Sequence, residues 1–268
     1  MLMSVRGAIA ATLLAGTALA AAPAFADEAD APSDFTVSGN VALTTDYRFR
    51  GVSLSAGDPA IQGGITVSHA SGLYVGTWAS SIDGGDVYGE QELDLFAGWS
   101  GEVASGVTFD AGLLLYAYPT NEPRISDGES ESKVHAQYWE PYASISGDIG
   151  PASAKLGVTY AWKQKGLISN AGKKADNLYV FGNLDVGIPN TPVTVSGHVG
   201  YTDGVLAPCY YCVETSSFND KSGWDWSIGA SATVFGPLSV GVSYIGVTGA
   251  SVDSYTDDTV VATLTAAF

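Results

Sequence analysis

The amino-acid sequence predicts an all-β fold, a single antiparallel transmembrane β-barrel of about 12 strands, and three observations carry that expectation. Apolar and polar residues alternate with period 2 in one segment after another, the connections between segments alternate short and long, and the last segment ends on an aromatic residue. In that segment Val260, Ala262, Leu264, Ala266 and Phe268 alternate with Val261, Thr263, Thr265 and Ala267. A strand closing on a terminal Phe reads as an assembly signal for the barrel-assembly machinery, so Phe268 is expected at the periplasmic rim beside the first strand.

The first strand places Phe35, Val37, Gly39, Val41, Leu43 and Tyr47 on one face and Ser38, Asn40, Thr44 and Asp46 on the other. Similar stretches follow near 60–70, 72–82, 90–101, 106–118, 136–148, 152–164, 177–188, 192–203, 223–235, 238–248 and 258–268. Each has about the 10 residues that a tilted strand needs to cross a bilayer. Leu93, Leu95, Ala97 and Trp99 alternate with Glu92, Asp94, Phe96 and Gly98, and Ala154, Leu156, Val158, Tyr160 and Trp162 alternate with Lys155, Thr159 and Lys163. A basic residue facing lipid at the midplane costs about 2–4 kcal/mol, which assigns the charged face to the lumen. Tyr47, Trp99, Tyr160, Trp162, Tyr201 and Trp224 sit near strand ends, where an interfacial girdle belongs.

Connections at 69–72, 102–106, 147–151, 189–192 and 235–237 are short, and those at 82–90, 119–134, 164–176, 203–222 and 249–257 are longer. Short periplasmic turns facing long extracellular loops are the asymmetry of an outer-membrane barrel, whereas a soluble sandwich varies its loops freely at both ends. The connection around 53–58 departs from this rule, being shorter than its extracellular siblings.

Residues 1–26 read as a signal peptide: Arg6, an apolar run from Ala8 to Ala22, and Ala24-Phe25-Ala26 before Asp27. Residues 27–34 then form a flexible periplasmic leader and 35–268 the barrel. The chain carries 11 Lys and Arg against 28 Asp and Glu, and removing Arg6 with the signal leaves 10 bases. Such acidity argues against a nucleic-acid partner, which requires clustered bases. After residue 26 no run is long and apolar enough for a membrane-spanning helix. With 33 Gly, 14 Tyr and 6 Trp the composition suits strands and tight turns.

The run Gly39-Asn40-Val41-Ala42-Leu43-Thr44-Thr45-Asp46-Tyr47-Arg48-Phe49-Arg50-Gly51-Val52-Ser53, followed by Asp58-Pro59-Ala60-Ile61-Gln62-Gly63-Gly64, resembles the opening signature of the TorF family of porins. Ser71-Gly72-Leu73-Tyr74-Val75-Gly76-Thr77-Trp78, Glu92 to Trp99, Tyr116-Ala117-Tyr118-Pro119 and the closing Phe268 extend the agreement over most of the chain, while 208–221 departs from the pattern. The resemblance implies an outer-membrane barrel of a Gram-negative bacterium, in contact with lipid and lipopolysaccharide, that serves as a porin.

Among the inward residues, Arg48 and Arg50 continue the lumen face of Asp46 and form a basic strip opposite Asp94, Asp110 or Glu140, which sets a transverse field across a constriction. The alternative is that they tie strand one to neighbouring carboxylates or head groups. Glu92, Lys155, Lys163, Asp185, His198 and Asp225 complete a lumen in which acids exceed bases, favouring passive diffusion of small hydrophilic solutes with modest cation preference. The alternative is a plugged barrel in which the same charges form internal salt bridges without conduction, and twelve strands fit either. A closed barrel acting as adhesin or receptor through its loops is the rival reading, resting on Tyr210, Tyr211, Phe218 and Tyr255. Cys209 and Cys212 read as a local disulfide in an oxidising compartment. The acidic runs 127–131 and 253–258 lack calcium-loop spacing and read as solvated loops; no metal or other cofactor is expected. With His69, His135 and His198 as the available bases and no G-x-S-x-G, no enzyme is expected.

Overall fold

A computed structural model describes residues 34–120, 124–126, 131–133, 135–208, 210, 221–249 and 251–268. The signal peptide, the leader up to residue 33 and the proposed Cys209–Cys212 bridge lie outside the described residues. The elements run β1 (Phe35–Thr44), β2 (Arg48–Phe49), β3 (Val52–Ser53), β4 (Ala60–His69), β5 (Leu73–Ser81), α1 (Gly85–Tyr88), β6 (Gln91–Ala104), β7 (Val107–Ala117), β8 (Arg124–Ser126), β9 (Glu131–Lys133), β10 (Tyr138–Ile149), β11 (Ala152–Ala161), β12 (Asn177–Gly187), β13 (Val193–Gly204), β14 (Ser222–Phe235), β15 (Leu238–Val247) and β16 (Thr259–Ala267).

Twelve of these strands form one closed antiparallel barrel in the order β1-β16-β15-β14-β13-β12-β11-β10-β7-β6-β5-β4. Closure satisfies the backbone of every strand from both sides, which a sheet surrounded by hydrocarbon requires. The period-2 pattern explains the faces: Val37, Val41, Leu43, Ile61, Leu95, Leu156, Ile228, Val242 and Val260 are exposed on the outside. An apolar belt running round the whole wall is the surface that a membrane solvates. Trp99, Tyr160, Trp162 and Trp224 are also exposed on that face, but Tyr47 is only 1% accessible. Its place in the expected girdle is therefore corrected: the strand ends at Thr44, and Tyr47 has turned inward.

The seam joins Val41 to Ala266 and Leu43 to Leu264 in register. Phe268 extends it by two backbone bonds, its N–H donating to Gly39 O at 2.9 Å and its O accepting from Gly39 N–H at 2.8 Å. The Phe268 ring covers Gly39, where an added Cβ would meet ring carbons at 2.9 and 3.0 Å and Gly64 O at 2.7 Å. A bare glycine is thus what lets the terminal ring lie flat on the seam. Gly39→Val is expected to weaken closure by about 1–3 kcal/mol, as overpacking does. The check is the fraction of refolded protein that migrates as the compact, heat-modifiable band.

Candidate functional site: a plug inside the barrel

Residues 45–59, which join β1 to β4, fold into the lumen instead of standing on the rim. This corrects the expectation of a short extracellular connection: the segment is long, and its own hairpin β2–β3 pairs Arg48 with Ser53 and Phe49 with Val52. The hairpin turn is Arg50-Gly51, with φ of 49° and 80°. Two successive left-handed residues are what a tight twisted hairpin turn needs, and a non-glycine residue there is conformationally costly. The compensation is found in what Arg50 touches.

Arg50 Nη2 donates to Glu140 Oε1 and Oε2 at 2.8 and 2.7 Å and to Thr159 Oγ1 at 3.1 Å, reaching β10 and β11. Its guanidinium also lies 4.3 Å from the centre of the Tyr179 ring on β12. Phe49 packs edge-on against Tyr116 of β7 at 5.7 Å between centroids. The tip of the plug therefore binds four consecutive wall strands. Glu140 in turn accepts from the Tyr116 hydroxyl at 3.1 Å.

Asp46 braces the base of the plug. Its carboxylate accepts from Ser53 Oγ at 2.6 Å, Ser55 Oγ at 3.1 Å and Arg48 Nε. Arg48 also donates to the carbonyls of Tyr255 and Asp257 at 2.9 and 3.0 Å and pairs with the Asp257 carboxylate at 3.3 Å. The acidic run 253–258, expected as a solvated loop, thus turns one carboxylate inward to hold the plug, while 127–130 lies outside the described residues. Tyr47 donates to Glu92 Oε1 at 2.9 Å and packs on Trp78 at 5.4 Å.

The inner face is graded along its length. Toward the long loops Thr44, Glu92, Asp94, Glu140, Asn177, Thr202 and Asp225 are buried, with Leu167, Val205, Ala207 and Tyr210 of the loops packed inward beside the plug. Toward the short turns Ser38, Asn40, Thr66, Ser68, Asn183 and Asp185 are half-buried, while Ser239 and Thr265 are buried. Placement of the inward candidates follows from register: Glu92, Asp94, Asp110, Glu140, Lys155, Asp185, His198 and Asp225 all lie on the inner faces of their strands. Arg48 and Arg50 are inside as well, but on the plug, so the even continuation of strand one that placed them is corrected. Lys163 lies past the end of β11 and is exposed, outside the lumen, because the strand stops at Ala161.

Two further polar groupings line the wall. Tyr74 donates to Asp110 Oδ1 at 2.7 Å and its hydroxyl meets that of Tyr142 at 2.5 Å. His198 Nε2 lies 2.8 Å from Asp225 Oδ1, which also accepts from Tyr179 at 3.0 Å, and His198 Nδ1 lies against Asn183. Ser196 donates to Asp185 Oδ1 rather than to His198, whose Nε2 lies 2.9 Å from the Tyr179 hydroxyl. His69 and Ser71 do meet, at 2.8 Å, in an exposed turn where Ser71 N–H caps the ring nitrogen.

A closed twelve-stranded barrel with an apolar outer belt, a charged inner face and an inward loop defines the class of membrane-spanning β-barrels. The chain belongs to a bacterial family of unknown function, Gcw_chp, whose profile matches residues 28–268. No curated protein matches the sequence. The fold is similar to that of the KdgM porin, at 10% identity and a TM-score of 0.53 over 86% of this chain and 98% of that one. Comparable likeness holds for the NanC porin (10%, 0.52, 87% and 99%) and an outer-membrane channel from Pseudomonas putida F1 (12%, 0.51, 91% and 99%).

Arg50→Met leaves the Glu140 carboxylate buried without its cation, a change that costs about 3–5 kcal/mol in the docked plug. The barrel strands do not depend on it. Limited proteolysis is expected to cut within 45–59 in the variant and not in the parent, with the heat-modifiable band unchanged.

Proposed function

We propose that the chain is a gated outer-membrane channel of a Gram-negative bacterium, with the short turns in the periplasm, the long loops outside and the plug as its gate. It passes small hydrophilic solutes by diffusion and prefers cations. The observation that carries this reading is the inner face itself. Six buried carboxylates, Asp46, Glu92, Asp94, Asp110, Glu140 and Asp225, face two buried arginines, Arg48 and Arg50, within a wall whose outside is apolar. A barrel serving as a rigid stalk has no need of charges that are so expensive to desolvate. The TorF-like opening motif supports the same reading, and it is the motif that builds the plug.

The rival reading, a closed barrel acting through its loops, draws on a different observation. A cavity of about 450 Å³ opens among Tyr160, Asp176, Asp203, Tyr210 and Lys221 at the long-loop rim. Bilayer recording separates the two. The parent is expected to show small, infrequent conductance steps with a reversal potential on the cation side of zero in a salt gradient. Replacing 48–53 by two glycines is expected to give large, steady steps. Silence in both proteins, with compact barrels in the gel, would favour the closed barrel.

A further inference from the structure

Asp94, with its neighbour Glu92, stands out because the other buried charges of the plug and its anchors each form an ion pair, although Arg50 Nη1 and Asp225 Oδ2 also lack a hydrogen-bond partner. Arg48 is held by Asp46 and Asp257, Arg50 by Glu140, and Asp225 by His198. No ion pair among the described residues involves Glu92 or Asp94. Asp94 is 0% accessible, yet Oδ1 and Oδ2 have no hydrogen-bond partner. The two residues are neighbours on the inner face of β6, and since Glu92 is met by the hydroxyls of Tyr47 and Tyr118, the two oxygens of Asp94 are the acceptors left without a donor.

The surroundings of these atoms narrow what fits. Asp94 is opposite Trp78 on β5 and Tyr116 on β7, with Tyr138 of β10 stacked on Tyr116 at 4.5 Å. Tyr47 closes the place from the plug, bound to Glu92 and packed on Trp78. A proton on each carboxyl would remove the charge, but the new O–H would itself need an acceptor and the other oxygen a donor. A hard metal ion asks for six or more oxygens, and among the described residues no group of three or more acidic, His or Cys ligands comes together. A primary ammonium has three donors, enough to serve both Asp94 oxygens and to reach the Glu92 carboxylate beside them. Ring faces of Trp and Tyr stabilise the same charge when it is desolvated.

We infer that Glu92 and Asp94, with Trp78 and Tyr116 beside them and Tyr47 as a lid, form a binding site for the ammonium group of a small primary amine. Tyr47 belongs to the plug and not to the wall, so lifting the plug uncovers the site and returning it encloses the bound cation. This names the solute class for the channel reading and rests on it for passage, but binding is measured apart from passage.

The test is calorimetric titration of the refolded full-length protein in detergent with n-propylammonium chloride at pH 8, beside titration with potassium chloride. Saturable binding of propylammonium that potassium does not displace is expected. Asp94→Asn should weaken it about ten-fold or more, as loss of charged hydrogen bonds does. Because that change removes an unpaired buried charge, the variant is expected to fold. Trp78→Leu, which leaves the charge in place, should weaken binding about three-fold. Absence of saturable binding in compact protein, equal binding by Asp94→Asn, or equal displacement by potassium would each overturn the assignment. Binding without any conductance in bilayers would leave the site standing and remove the channel reading instead.

Discussion

A guanidinium placed inside a barrel must be met by a carboxylate and by further acceptors, because desolvation of either charge alone exceeds what the rest of a short loop returns. The contact between Arg50 and Glu140 meets that requirement, with both side chains nearly inaccessible and Thr159 and the Tyr179 ring completing the enclosure. The remainder of the plug follows from it. Arg50 reaches that depth because a hairpin carries it, the hairpin turns because Gly51 follows, and the base is rigid because Asp46 gathers Arg48, Ser53 and Ser55. The left-handed backbone at Arg50 is the cost of aiming a cation instead of a glycine into the wall.

The barrel and the plug solve different problems. The wall is fixed by pairing all the way round and by its apolar exterior, and neither of these involves the plug. The plug is held by a few charge-assisted bonds and ring contacts to β6, β7, β10, β11 and β12. Such contacts are strong while dry and weaken sharply once water enters, which makes the plug the part of the molecule suited to exist in two positions. Asn183, Asp185, Ser38 and Asn40, on the inner face toward the short turns, are less buried than the plug's own anchors.

Most of the wall was legible in the sequence because a strand with one face in lipid and one in the lumen has no freedom in its period. Leu93 to Trp99 and Ala154 to Tyr160 show it plainly, and their inward residues fall where alternation puts them. Alternation failed at the end of β1 for the same reason that it worked elsewhere. Asp46, Tyr47 and Arg48 continue the count, but period 2 carries no information about where a chain leaves the sheet. A local signal was present in Phe49-Arg50-Gly51-Val52, a glycine turn between two apolar residues, and the charge beside it obscured the hairpin. Lys163 shows the converse: counting ran on past Ala161, where β11 ends. The pairing of Arg50 with Glu140, 90 positions apart, has no periodic signature at all.

The proposed gating makes Arg50 and Glu140 one latch on the path through the barrel. Single-channel recording of Arg50→Ala, Glu140→Gln and the double variant measures this directly as open probability. If the latch is one unit, each single change opens the channel and the double variant opens it no further. Additive effects of the two changes, or an unchanged open probability in either one, would contradict the account.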